Sequence, residues 1–153
     1  MDTASTTTSS PTNIAARTRA VIRATTVGAV AATIVNVTLW GIGRAADASF
    51  VVDPALGDPN VEVGVVKVIL TTLLPFAVGA ALLALTARRS RRWIARLAVV
   101  AGVFAVVSAA GPLDGGHDTA TRVLLATMHV TTGAAFVVAA SRVMVLRQVP
   151  GGA

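Results

Sequence analysis

The sequence predicts an all-α integral membrane protein, a four-helix bundle with both termini in the cytoplasm, and three observations predict it. Hydrophobic residues make up 54% of the 153-residue chain and charged residues only 13%, against roughly 25% charged in an average soluble domain. The apolar residues are gathered into four long blocks, each near the ~20 residues with which a helix crosses ~30 Å of hydrocarbon. The arginines collect beside alternate ends of those blocks. A soluble bundle would carry a charged face through every helix, and a transmembrane barrel would alternate polar with apolar residues. The blocks do neither.

Taken in order, the chain opens with MDTASTTTSSPTN, rich in Ser and Thr and without periodicity. Residues 1–19 therefore read as a disordered cytoplasmic tail, followed by a transmembrane domain over residues 20–147. Its first helix covers about 20–42, with Trp40 near the outer end where an aromatic belt belongs. The same run, preceded by basic residues and followed by AADAS, also fits a cleaved signal peptide. It is longer than a usual signal-peptide core, which favours a retained span. The outer loop GRAADASFVVDPALGDPNVEV holds two Asp-Pro turn initiators, Asp53-Pro54 and Asp58-Pro59. Its acids lack the spacing of a calcium-binding EF-hand.

The second helix covers about 65–87, with Pro75 placed to kink it. After the basic loop RRSRRW the third covers about 93–113, beginning on a second belt tryptophan, Trp93. The turn DGGHD leads to the fourth, about 121–146, and residues 148–153 form a short C-terminal tail.

Orientation follows from charge. Ten arginines (Arg17, Arg19, Arg23, Arg88, Arg89, Arg91, Arg92, Arg96, Arg142 and Arg147) lie on one side, and six acids (Asp47, Asp53, Asp58, Glu62, Asp114 and Asp118) lie on the other, against only Arg44, Lys67 and Arg122 on or beside the acidic loops. The positive-inside rule puts the arginine side in the cytoplasm of a bacterial cell, N-in and C-in. The net charge of +6 comes without the interleaved aromatics or motifs of a nucleic-acid binder. Arg88, Arg89, Arg91 and Arg92 are instead expected to contact anionic lipid headgroups. Absent cysteine removes disulfides, thiolate catalysis and cysteine metal sites.

In lipid, helices associate through small residues and interhelical hydrogen bonds. Gly28, Ala32 and Asn36 form one stripe; Lys67, Thr71, Pro75 and Gly79 form a second. Ala101, Ala105 and Ala109 with Ser108 form a third, and Leu125, His129 and Gly133 a fourth. At ~1.5 Å per residue, Asn36, Ser108 and His129 lie roughly 7–12 Å inside the outer helix ends, and Thr71 lies at a similar level. Asn36, Thr71, Ser108 and His129 are therefore expected to form a small polar pocket around an intramembrane histidine, while Gly28, Ala32, Gly79, Ala101, Ala105, Ala109 and Gly133 pack helices together. An ionisable group within a span is a functional candidate by default. Simple interhelical bonding is the competing role. A metal site from His129, His117, Asp114 and Asp118 is disfavoured, because DGGHD has ordinary turn and capping chemistry.

The chain offers no paired carboxylates, nucleophile-base pair or phosphate loop, and Ser108 with His129 lacks a third group to orient the base. It reads as a non-enzyme without cofactor or metal: a scaffold, a partner subunit or a small-ligand binder, with a homo-oligomer or another membrane protein as partner. The alternative is a small oligomeric proton-coupled transporter in which His129 acts without an intramembrane carboxylate.

VEVGVVKVILTTLL at the start of the second helix, GAALLAL before the basic loop, Trp93 after it, VVSAAGPLDGG leaving the third helix and LLATMHV in the fourth together resemble the actinobacterial membrane proteins of domain-of-unknown-function family 6069. The resemblance runs from Val61 to Arg142. Gly79 is followed by Ala80, where such proteins often have Trp. The resemblance implies four spans and no stated activity.

Overall fold

Helix α1 spans Pro11–Ala45. The computed structural model describes residues 11–87 and 89–146. The expected tail is thus divided, since residues 1–10 lie outside the described part and residues 11–19 are helical, nine residues ahead of the expected start at Ala20. Arg88 and the tail 148–153 also lie outside the described residues. After α1 come β1 (Val51–Val52), β2 (Val61–Glu62), α2 (Val65–Ala87), α3 (Arg91–Ser108), α4 (Ala110–Gly115) and α5 (Thr119–Leu146).

Four helical stretches are long and apolar enough to cross a membrane: Thr18–Ala45, Val65–Thr86, Arg91–Gly115 and Thr119–Val145. Helix α2 has the expected bounds and is unbroken at Pro75. The third stretch is expected as one helix but is assigned as two, α3 and α4, separated at Ala109. Pro112 explains the break. It has no N–H to offer Ser108, four residues earlier, and its ring crowds that carbonyl. Ala109 keeps helical angles (φ −68, ψ −19), so the chain continues in nearly the same direction.

Helix α5 packs most extensively against α1 and α3, and α1 also packs on α2. Helices α2 and α5 each run antiparallel to α1. Gly28 of α1 sits beside Phe76 and Ala139, whereas Asn36, two turns on, meets Thr72 and Thr132. Two buried clusters result. One contains Ala32, Phe76, Leu83, Ile94, Phe136 and Ala140. The other, toward the end holding the 46–64 loop, contains Ala48, Phe50, Val68, Leu125 and Met128.

The outward surface is also apolar, with Phe104 at 67% and Val107 at 65% exposure and many valines and leucines beside them. A surface so continuous in apolar side chains far exceeds the few hundred Å² usual on a soluble monomer. It suits hydrocarbon, and the four helices support a multi-pass membrane protein.

The 46–64 loop folds over one end of the bundle. Its strands pair antiparallel, Val51 with Glu62 and Val52 with Val61. Residues 115–117 run alongside β1: Asp53 N–H donates to Gly115 O (2.8 Å), His117 N–H donates to Val51 O (3.1 Å), and Val52 forms an isolated bridge with Gly116. Phe50 adopts φ +52, which is costly for a bulky residue. Complete burial of its ring against Leu124, Leu125 and Trp40 offsets that cost.

Candidate functional site

Burying an amide among hydrocarbon groups is unfavourable unless it finds partners, and Asn36 is only 1% exposed. It stands on α1 between α2 and α5. Its Nδ2 donates to Thr72 Oγ1 at 2.9 Å, to Thr132 Oγ1 at 3.0 Å and, at a longer 3.4 Å, to Met128 O. The two threonines accept these bonds while donating their own protons to Val68 O and Met128 O, each at 2.8 Å. This polar layer lies between the two apolar clusters and ties three helices at one level. Asn36 Oδ1 has no hydrogen-bond partner among the described residues.

Of the four residues expected to form a pocket, only Asn36 occupies this layer. Thr71 is exposed and donates to Lys67 O of its own helix at 2.8 Å. Ser108 is half-buried and donates to Ala105 O at 3.0 Å. His129 is half-buried, and its Nδ1 lies 2.8 Å from Leu125 O. A carbonyl can only accept, so Nδ1 carries the proton. No hydrogen bond joins any two of the four.

The partners of Asn36, Thr72 and Thr132, are therefore residues the sequence reasoning missed. Thr72 lies one position beyond Thr71, and Thr132 lies three beyond His129. On α2 the buried Val68, Thr72 and Phe76 each stand one residue on from Lys67, Thr71 and Pro75 of the expected stripe. A one-residue step turns a helix by ~100°.

The small residues lie at helix contacts. A Cβ added at Gly133 would collide with Ala105 Cβ, and one at Gly79 would stand 2.6 Å from the Phe136 ring. Gly28 is in contact range of Phe76 and Ala139. Ala32, Ala105 and Ala109 are buried, and Ala101 packs half-buried on the larger cluster.

At the capped end, Asp118 precedes α5 and accepts Thr121 N–H at 2.8 Å on Oδ1, the bond expected of an N-cap aspartate. Its other oxygen accepts from Ser49 Oγ and Thr121 Oγ1, both at 2.6 Å, and from Ser49 N–H at 3.1 Å. Hydrogen bonds from Ser49 first, then Thr121, hold this carboxyl well below the usual carboxylate range. Asp53 is also lowered, by the backbone N–H of Asn60 and then by His117, whose Nε2 is 3.1 Å from Asp53 Oδ1. The buried Thr121 Oγ1 also accepts Phe50 N–H at 2.8 Å, and Trp40 Nε1 donates to Val63 O at 3.0 Å. The loop is thus pinned to the helix ends by hydrogen bonds from α1 and α5. Among the described residues no group of three or more His, Asp or Glu is placed to hold a metal.

At the opposite end Arg89, Arg91 and Arg92 are exposed, and Arg96 stacks over the Trp93 ring, 5.2 Å from its centre. The described acids all lie at the capped end.

The profile of a family of unknown function, DUF6069, matches residues 16–145. The chain belongs to that family. The DUF6069 match takes in all four candidate membrane helices, the polar layer and the cap together. No curated protein and no solved structure matches the chain.

Proposed function

We propose that this DUF6069 member is a non-enzymatic protein of an actinobacterial cytoplasmic membrane, serving as a scaffold or partner subunit, with both termini and the arginine-rich end in the cytoplasm. The observation that carries the reading is how the polar groups within the spans are used. Asn36, Thr72 and Thr132 bond one another across helices, while Thr71 and Ser108 bond carbonyls of their own helices. Such bonds hold a bundle together at about 0.6–2 kcal/mol each, and among the described polar groups within the spans they commit the hydroxyls to carbonyls. The segregated charges support the orientation by the positive-inside rule.

One observation favours a second reading, the small proton-coupled transporter. His129 is an imidazole within a candidate membrane span, with Nδ1 bonded to Leu125 O at 2.8 Å. Reconstitution into vesicles containing a pH-sensitive dye separates the two. The scaffold reading predicts that an imposed proton gradient decays as in protein-free vesicles. Protein-dependent proton entry that His129→Gln abolishes would replace it with the transporter reading.

A further inference from the structure

Where α2 ends and α3 begins, the chain leaves a cavity of about 220 Å³ lined by Leu85, Thr86, Arg89 and Trp93. Its chemistry is two-sided. Leu85 and the indole of Trp93 are apolar walls, 61% and 45% exposed. Arg89 adds an exposed guanidinium, and the described residues place no carboxylate in an ion pair with it. Thr86 spends its hydroxyl proton on Leu82 O at 2.9 Å, so its oxygen adds no free donor.

Two further features favour negative charge at the mouth of the cavity. Helix α3 starts at Arg91 with no acidic residue in its first turn, and Ser90 at its N-cap makes no side-chain capping bond. The positive end of the helix dipole therefore meets no acidic side chain of its own first turn. Arg96 also lies over the face of the Trp93 ring, a cation–π contact. The cavity lies at the end of the second candidate span, Val65–Thr86, where headgroups meet hydrocarbon.

An occupant has to be anionic at Arg89 and apolar along Leu85 and Trp93. We infer that this cavity is a binding site for one acidic phospholipid, with its phosphate on the Arg89 guanidinium and its glycerol and upper acyl chain against Trp93 and Leu85. The inference rests on the membrane reading of the four helices. It goes beyond diffuse attraction of a basic surface to an anionic leaflet, because it names a walled position and one arginine that dominates the selectivity.

Trp93 reports the site directly. With Trp40→Phe it is the sole indole of the chain, which has two tryptophans. The full-length protein is placed in phosphatidylcholine vesicles containing small, equal fractions of acyl-brominated phosphatidylglycerol or acyl-brominated phosphatidylcholine, and quenching is compared. The expected result is saturable quenching by the acidic lipid at roughly fivefold or greater apparent preference, about what one well-placed cation confers at an anionic interface. Arg89→Ala should bring the preference close to unity. Arg92→Ala and Arg142→Ala, also cationic losses at this end, should leave most of it. Equal losses from all three substitutions would mean diffuse electrostatics and overturn the site. Competition by millimolar inorganic phosphate would overturn the lipid assignment in favour of a soluble anion. Equal quenching by both lipids would refute the selectivity while leaving the protein in the bilayer. Quenching by neither would refute the membrane reading itself.

Discussion

Asn36 brings two amide hydrogens and one carbonyl oxygen into the middle of an apolar bundle, and only the hydrogens find partners. The unpaired oxygen limits how much the layer contributes, so Asn36→Leu should cost only about 0.6–2 kcal/mol, the range of interhelical bonds in membranes. The neighbouring threonines give a sharper test of register. Thr72→Val removes an acceptor facing α1, whereas Thr71→Val alters a side chain facing outward. Thermal unfolding in detergent should show a loss of about 0.6 kcal/mol or more for Thr72→Val and under about 0.5 for Thr71→Val. Equal effects would contradict the register. Asp118 makes the corresponding argument at the capped end. A carboxyl lowered by its donors stabilises fully above its unfolded value, ~3.9, and that stabilisation is lost as pH falls toward the lower folded value. Amide exchange at Ser49 and Thr121 should therefore accelerate as pH falls below about 4, after correction for intrinsic rates. Asp118→Asn should exchange faster at neutral pH and lose that acid dependence, whereas an acid dependence surviving the substitution would assign it to another group.

Helices α3 and α5 approach so closely at Gly133 and Ala105 that a single methyl decides the contact. Gly133→Ala should cost about 1–3 kcal/mol by overpacking, and adding Ala105→Gly should recover most of it. Ala105→Leu should likewise destabilise far more than Val103→Leu, whose site is 58% exposed. Absence of recovery in the double variant would show that the two positions do not share one contact. The number of spans was legible in the sequence because block length against bilayer thickness is a robust signal. The face of each helix was legible where small residues mark it, as at Gly28, Ala32 and Ala105. It was not legible on α2, where inward Phe76 and Leu83 and outward Leu70 and Leu74 are equally apolar. In lipid the exposed face is hydrophobic too, so the amphipathic period that exposes a register in soluble helices is absent. For the same reason the expected pocket held Thr71 where Thr72 stands. The break before α4 could have been anticipated from Pro112. The bridge from Gly116 to Val52 could not, because it depends on the distant 51–53 segment.

Across the whole molecule the acids and most of the arginines divide between two ends. Arg19, Arg23, Arg89, Arg91, Arg92, Arg96 and Arg142 belong to the open end, and the described acids belong to the end closed by the β1–β2 loop, together with Arg44, Lys67 and Arg122. That division could have been read before any fold was known, since it needs only the order of blocks and charges. The three-dimensional arrangement adds that the acidic end is a hydrogen-bonded cap and the basic end carries an open, partly apolar cavity. A scaffold embedded in this way would present two chemically different faces to the two sides of the membrane. Because the chain contains no cysteine, single introduced thiols report each face without background. The most direct test places Asp58→Cys in the cap loop and Ser90→Cys between α2 and α3, then labels intact cells with a membrane-impermeant maleimide. The account predicts that position 58 is labelled at once and position 90 only after permeabilisation. Labelling of position 90 in intact cells, or protection of position 58, would contradict it.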